Sequence, residues 1–308
     1  MTTTEIFDSL WSEYSERTPS AQKINELFIS KGNKIFNDHV AFRTFDDPRV
    51  NIEVLAKPFL AAGYVECGDY TFEAKKLYAK HYEHATDKNV PRVFISQLKV
   101  AEFSSELQTE VKKMIDAIPE SELHTGQLVF KGRLWGQPSF DLYEKLQAET
   151  EYAAWLYVNG FCSNHFTVDI NKLDTFSSLQ EVNEFLKVNG FKMNTSGGEI
   201  KGTPGQFLEQ SSVLADRIPV EFKETTKEIT SCYYEFAFRH EMANGKLFSG
   251  FVTGSADKIF ESTDMKLEQI DYPTRAPGGE DLRRGRRRRR QRRALQRGDQ
   301  PFEKSIFG

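Results

Sequence analysis

Two segments of this 308-residue chain share one pattern, and this internal repeat constrains the fold more than any other feature of the sequence. In each segment a polar residue precedes a histidine, His39 in the first and His165 in the second, and alternating apolar residues follow. A predicted helix then ends in Phe-Leu, with Gly-aromatic shortly after, at residues 59–64 and 185–191. Because self-similarity of this kind indicates copies of one supersecondary unit, we predict a duplicated fold.

Hydrophobic periodicity predicts a β-α-β-β-β order in each copy. The expected fold class is therefore α+β: two βαβββ units forming a half-open mixed β-barrel, with added N-terminal and connecting helices. In the first copy we predict a strand at 37–45, a helix at 50–62 and strands near 64–67, 75–78 and 92–98. The predicted divisions are N-terminal helices (1–34), the first unit (35–125), a connecting strand and helix (126–160), the second unit (161–272) and an Arg-rich tail (273–308).

The strand at 37–45 carries chemistry on one of its faces. Successive side chains of a strand point to opposite sides. The residues sharing one face are then His39, Ala41, Arg43 and Phe45. At about 3.3 Å per residue, the Cα atoms of His39 and Arg43 lie about 13 Å apart. Arg43 is either an anchor for a substrate anion, since its fork matches a carboxylate, or a structural ion-pair partner.

His39, His165 and Glu235 are candidate metal ligands on three predicted strands. Glu235 lies within an aromatic strand, where an ionised carboxylate is almost never left without a partner. Two histidines and one carboxylate form the facial triad that binds non-haem Fe(II) and leaves positions open for substrate and O₂. The alternative is that both histidines are satisfied without a metal and that Glu235 pairs with Arg239.

Other candidate sites in the sequence are weaker. His81 and His84 form a rival metal cluster, but the lysines around them favour a solvated strand or turn. Cys67, Cys162 and Cys232 are too few and too widely spaced for a disulfide framework or a zinc pattern. Neither a dinucleotide nor a phosphate-binding loop motif occurs, so a nucleotide site has no support.

Charge is distributed unevenly along the chain. Residues 279–308 hold 11 Lys/Arg against 4 Asp/Glu, a net of +7, which leaves −11 for residues 1–278. Such a tail would bind polyanions by counterion release, but no aromatic residues interleave it, so we read it as a disordered tail and do not expect nucleic-acid binding as its function. The N-terminus lacks the features of a signal peptide and no apolar run would span a bilayer, so we expect a cytoplasmic protein without membrane contact.

Four ordered motifs, at residues 37–45, 164–170, 233–239 and 254–263, resemble the family of 2-oxoadipate dioxygenase/decarboxylases, formerly the domain of unknown function DUF1338. The resemblance covers about residues 1–272 and implies a fold similar to the vicinal-oxygen-chelate folds. It also implies Fe(II) held by His39, His165 and Glu235, with Arg43 gripping the distal carboxylate of the 2-oxo acid. The chain is shorter than the family's characterised bacterial enzymes, and its Arg-rich end is unlike theirs.

The function that this resemblance implies is oxidative decarboxylation of a 2-oxo dicarboxylic acid by O₂. For 2-oxoadipate the product is 2-hydroxyglutarate with loss of CO₂, a step in lysine catabolism. Two alternatives remain at this point: a glyoxalase-like lyase or hydrolase using a metal on the same fold, and a non-catalytic polyanion binder acting through the Arg-rich tail. The sequence leaves the oligomeric state undefined.

Overall fold

Two amphipathic helices begin the chain, α1 (Thr3–Arg17) and α2 (Pro19–Ser30), as predicted. In the computed structural model, which describes residues 1–263, Thr2 and Glu5 form a capping box at the start of α1. The apolar stripe of α1 packs against β5, where Trp11 and Tyr14 contact the ring of Phe166. These helices therefore cover the sheet on the side opposite to its polar face.

The first βαβββ unit follows and carries its helix between the first two strands. Its elements are β1 (Asn37–Phe45), α3 (Ile52–Ala61), β2 (Tyr64–Phe72), β3 (Leu77–His84) and β4 (Arg92–Leu98). The bounds of β1 and β4 agree with the prediction. β2 and β3 are longer than predicted, because antiparallel pairing with each other extends both strands through polar residues that apolar alternation does not mark.

Four helices lie between β4 and the second unit, and the connecting segment (126–160) differs from the prediction in two places. They are α4 (Ser105–Asp116), α5 (Glu120–Leu123), α6 (Phe140–Glu149) and α7 (Glu151–Asn159). The predicted connecting strand is instead a 3-10 turn at Leu128–Phe130, where two consecutive residues are buried and strand alternation fails. The single helix predicted within the connecting segment is two helices, because the backbone of Thr150 is extended (φ −156°, ψ 122°) and breaks the helix there.

The second unit repeats the first and contains one insertion. Its elements are β5 (Ser163–Asp169), α8 (Leu179–Val188), β6 (Lys201–Thr203), β7 (Leu208–Ser212) and β10 (Tyr233–Arg239). Between β7 and β10 the chain forms a separate hairpin, β8 (Arg217–Glu221) and β9 (Thr226–Thr230), which the sequence did not predict. The last α-helix of the described residues, α9 (Thr253–Ile259), follows β10.

The eight remaining strands form one mixed sheet in the order β2-β3-β4-β1-β5-β10-β7-β6. The two halves of this order mirror each other: β1 is parallel to β4, β5 is parallel to β10, and β1 pairs antiparallel with β5 at the centre. The predicted duplicated half-barrel is therefore confirmed. α9 contacts β2 at one edge and β6 and β7 near the other, so it lies across the open side of the half-barrel.

The C-terminal predictions fall partly outside the described residues. The predicted Arg-rich tail, 273–308, lies outside the described residues, so its expected disorder stays a prediction. The predicted boundaries between the divisions of the chain also stay predictions. No helix within residues 1–263 is long and apolar enough to cross a membrane.

Candidate metal centre

The three predicted ligands lie together at the centre of the polar, concave face of the sheet. His39 on β1, His165 on β5 and Glu235 on β10 are buried, and one ligand atom of each lies within 4.8 Å of the others. Glu235 Oε2 is 3.2 Å from Nε2 of His165, and Glu235 Oε1 is 3.6 Å from Nε2 of His39. The strands β1, β5 and β10 are neighbours in the sheet, and this adjacency brings together residues that are up to 196 positions apart.

A β-bulge precedes each histidine and orients its imidazole. In the β1–β5 ladder, Asp38 and Asn164 are extra residues, and each lies directly before one of the two candidate histidines. A bulge redirects side chains locally, so a residue that strand alternation would place on the far face stays beside its neighbour. Asp38 Oδ1 lies 2.8 Å from Nδ1 of His39, and Asn164 Oδ1 lies 3.1 Å from Nδ1 of His165. Both acceptors fix the proton on Nδ1, which leaves Nε2 free to bind a metal.

Asp38 is the most heavily compensated carboxylate of the centre. Arg239 binds it through two nitrogens, at 2.7 and 2.9 Å, and Arg92 Nη1 adds a third contact at 3.1 Å. Burial alone would raise the pKa of Asp38, but the two guanidinium groups hold it well below its usual range. Asp38 is therefore an ionised partner that keeps His39 in one tautomer.

The alternative in which Glu235 pairs with Arg239 is wrong, because Arg239 binds Asp38. Glu235 Oε1 accepts a hydrogen bond of 2.6 Å from Nε2 of Gln210 on β7, and Oε2 has no hydrogen-bond partner among the described residues. Burial raises the pKa of Glu235 to about 8 in the metal-free protein, although the bond from Gln210 opposes this rise. The carboxylate is thus held in place by one oxygen and left uncompensated at the other.

Both histidines are neutral in this environment. Burial lowers the pKa of His39, although Asp38 opposes the change. Burial, together with the positive charge of Arg43 and the nearness of His39, holds the pKa of His165 well below its usual range. Once Glu235 is ionised, Nε2 of His165 and Oε2 of Glu235 are two lone-pair acceptors facing each other at 3.2 Å, because the proton of His165 is on Nδ1. A cation between them removes this repulsion, so the orphaned atoms and the donor set fit a divalent metal.

Arg43 lies on the same face of β1 and is fully buried, but its partner in the structure is Glu151 at the start of α7. Its Nη1 donates to Glu151 Oε1 at 2.9 Å and its Nη2 to Thr263 Oγ1 at 3.0 Å. The guanidinium also lies 5.0 Å from the ring centroids of Tyr152 and Trp155. The ion-pair interpretation thus describes the contacts seen, while Nε keeps no partner among the described residues.

Other residues of the centre were missed by sequence reasoning. Tyr233 stacks on the ring of His165 at 4.5 Å, and its buried hydroxyl has no hydrogen-bond partner within residues 1–263. Thr167 Oγ1 lies 3.0 Å from Nε2 of His39, and Phe251 lies edge-on against the same imidazole at 4.8 Å. The polar residue that precedes each histidine in the repeat marked Asp38 and Asn164 in the sequence. Only the bulges bring these two side chains to the same face as the histidines, where they contact Nδ1.

The rival pair His81 and His84 does not form one cluster. His84 accepts hydrogen bonds from backbone amides beyond the end of β3 and packs against Tyr64. His81 is buried, contrary to the solvated position expected, because its side of β3 belongs to the concave face.

The chain is similar to proteins of one enzyme family. The family model of 2-oxoadipate dioxygenase/decarboxylase matches residues 4–248. A chloroplastic 2-oxoadipate dioxygenase/decarboxylase from Arabidopsis thaliana is 36% identical over 283 residues, covering 84% of this chain and 76% of the relative.

Two solved structures share both the fold and much of the sequence. A Shewanella frigidimarina protein with the provisional description of hydrolase is 48% identical, with a TM-score of 0.77, covering 82% of this chain and 98% of its own. The hydroxyglutarate synthase of Oryza sativa, in complex with 2-oxoadipate, is 35% identical with a TM-score of 0.80, covering 85% and 92%. The chain belongs to the 2-oxoadipate dioxygenase/decarboxylase family.

Proposed function

We propose that this protein is a metal-dependent dioxygenase/decarboxylase that converts 2-oxoadipate and O₂ into 2-hydroxyglutarate and CO₂. The reaction balances, since both atoms of O₂ are retained in the two products. The observation that carries the proposal is the buried cluster of His39, His165 and Glu235, with ligand atoms within 4.8 Å of one another, in a member of this enzyme family.

Fe(II) is the metal that we propose for this centre, held by Nε2 of His39, Nε2 of His165 and the carboxylate of Glu235. Two imidazoles and one carboxylate are the donor set of non-haem Fe(II) oxygenases. When bound, the metal would supply a chelation site for the 2-oxo acid and the activation of O₂. The protein supplies the orientation and the environment in which this chemistry occurs.

Residues around the ligands have separate tasks in this proposal. Asp38 and Asn164 keep the protons on Nδ1, and Gln210 holds one oxygen of Glu235 so that the other stays available. Phe251 lies against His39 and excludes water from that side of the centre. A dry site strengthens the electrostatic interactions within it and protects reactive species from solvent.

Arg43 is the residue that we propose for the distal carboxylate of 2-oxoadipate. Its Nε–H is a buried donor without a partner among the described residues, and a guanidinium binds carboxylate in fork geometry. The aromatic rings of Tyr152 and Trp155 hold the guanidinium in place, and Glu151 balances its charge. The unpaired hydroxyl of Tyr233 is a second donor for the substrate.

Oxygen uptake and product analysis test the proposal. Protein loaded with Fe(II) without air is mixed with 2-oxoadipate and O₂, and we expect one 2-hydroxyglutarate and one CO₂ for each O₂ consumed. His165→Ala should lose this activity, whereas His240→Ala is the matched control, since His240 pairs with Glu209 away from the metal ligands. Conversion without O₂ uptake would contradict the proposal and favour the lyase or hydrolase alternative.

We propose that the small molecules bound are a 2-oxo acid and O₂, and that the protein acts in the cytoplasm, although the Arabidopsis relative is described as chloroplastic. Cell fractionation of the native host with an antibody against this protein would test the location, and recovery in an organelle would contradict it.

A further inference from the structure

A second group of metal-ligating side chains lies at the rim of the half-barrel. Cys67 on β2 and His81 and Glu83 on β3 each place one ligand atom within 4.8 Å of the other two. Cys67 occupies the bulge of the β2–β3 ladder, between Glu66 and Gly68. The two remaining cysteines of the described chain, Cys162 and Cys232, are buried and belong to no such group.

The distances within this group approach those of a bound metal. Nε2 of His81 lies 3.4 Å from Oε1 of Glu83. In a tetrahedral zinc site with bonds of about 2.0–2.1 Å to nitrogen and oxygen, the edge between two such ligands is about 3.3 Å. One edge of the coordination polyhedron is therefore formed already, and Sγ of the exposed Cys67 lies within 4.8 Å of both other ligand atoms.

The orientation of His81 also favours metal binding. Its Nδ1 lies 2.8 Å from the hydroxyl of Tyr70, which directs Nε2 towards Glu83. An outer partner of this kind on the other ring nitrogen is typical of metal-binding histidines. Gly68, beside His81, leaves the room that the ring occupies, since a Cβ there would lie 3.1 Å from the imidazole.

We propose that Cys67, His81 and Glu83 form a second site that binds one Zn²⁺, with the fourth position open to solvent. A thiolate and a carboxylate together balance the two charges of the ion, and cysteine, histidine and carboxylate are the usual zinc donors. Metal binding displaces the thiol proton of Cys67 to solvent, since a coordinating thiol is deprotonated. Lys88 Nζ, 3.2 Å from Oε2 of Glu83, stays as an outer contact of the carboxylate.

Residues 249–251 form a covering segment that contacts both this second site and His39 of the first. Ser249 donates its hydroxyl to Oε1 of Glu83, and the backbone N–H of Phe251 donates to the hydroxyl of Tyr70 at 3.1 Å. Phe251 in turn packs against His39. Zinc bound beside these residues would therefore hold the covering segment in place.

Cobalt(II) absorption tests the proposal, because a thiolate ligand gives Co²⁺ a charge-transfer band in the near ultraviolet that histidine and carboxylate ligands do not give. Iron-loaded protein is titrated with Co²⁺ without air, and Zn²⁺ is then added. We expect the band to saturate at one equivalent, to be lost on adding Zn²⁺, and to be absent from Cys67→Ser. His81→Ala should weaken the affinity by roughly 100-fold or more, a larger loss than outer-shell partners cause.

The control variant is His165→Ala, which removes a ligand of the first centre and should keep the band. This readout does not depend on turnover, so the proposed function and the second site can fail independently. Absence of the band from the wild-type protein would overturn the proposal. A band of equal strength in Cys67→Ser would also overturn it, because the thiolate would then belong to another cysteine.

Discussion

The buried carboxylate of Glu235 lowers the stability of the metal-free protein, and replacing it with glutamine should restore that stability. The carboxylate is fully buried, and its pKa is raised from 4.5 to about 8 by burial. Glutamine has nearly the same shape and carries no charge. We therefore expect metal-free Glu235→Gln to be more stable than the metal-free wild-type protein at pH 8.

The size and the sign of this effect follow from proton linkage. Between pH 4.5 and pH 8 the unfolded chain has lost the Glu235 proton while the folded protein keeps it, so stability falls as pH rises. Each pKa unit corresponds to about 1.4 kcal/mol, so a rise to about 8 gives a loss of at most about 5 kcal/mol. Because water entering the site relieves part of this cost, we expect a difference of about 2–5 kcal/mol at pH 8 and close to zero at pH 4.5.

Urea unfolding of the two chelator-treated proteins, at several pH values between 4.5 and 8.5, measures this difference. His39 and His165 occur in both proteins, so their own titration largely cancels in the comparison. Loading with Fe(II) should reverse the order, since only the wild-type protein keeps its carboxylate ligand. Equal stability of the two metal-free proteins at pH 8, or a less stable glutamine variant, would refute the reasoning.

Three further predictions concern other parts of the molecule. Asp38→Asn should lower the free energy of unfolding by about 3–5 kcal/mol, because two arginines lose their buried anion. The same substitution should weaken the affinity for iron roughly 10–100-fold, because His39 loses its ionised partner. Urea unfolding and iron titration measure the two effects, and an unchanged iron affinity would contradict the role of Asp38. Arg43→Lys should raise KM for 2-oxoadipate by about tenfold or more, since lysine lacks the fork, but leave KM for the monocarboxylic 2-oxohexanoate unchanged; equal effects on both acids would argue against the anchor. Gly160→Ala should lower the free energy of unfolding by more than about 3 kcal/mol, because φ is +71° and the new Cβ would lie 2.2 Å from the backbone of Gly132. The control Gly136→Ala, at φ +84° with free space around the new Cβ, should lower it by only about 1 kcal/mol. Similar losses for the two variants in thermal unfolding would contradict this explanation.

The grouping of His39, His165 and Glu235 could be predicted from the sequence because the repeat marks equivalent positions. His39 and His165 are each the third residue of the first strand of a unit, and Glu235 lies in an aromatic strand that closes the second. Apolar alternation predicted the correct bounds of β1, because one face of this strand is packed on the core. Such patterns can be recognised in the sequence because they depend on residues that are close together in the chain.

The features that the sequence concealed depend on long-range contacts or on single backbone conformations. Arg43 meets Glu151, 108 residues away, and no local pattern indicates that pairing. Strand alternation places Asp38 on the face away from His39, and only a bulge overturns that expectation. The helix break at Thr150 likewise depends on one extended residue between two sequences of good helical character.

Anomalous diffraction at the iron absorption edge, from crystals grown without air with Fe(II) and 2-oxoadipate, tests the central claim most directly. We expect one iron peak bonded to Nε2 of His39, Nε2 of His165 and the carboxylate of Glu235, with the 2-oxo acid chelating the same ion. Iron bound elsewhere, for example at Cys67, His81 and Glu83, with none between the two histidines and Glu235, would contradict it.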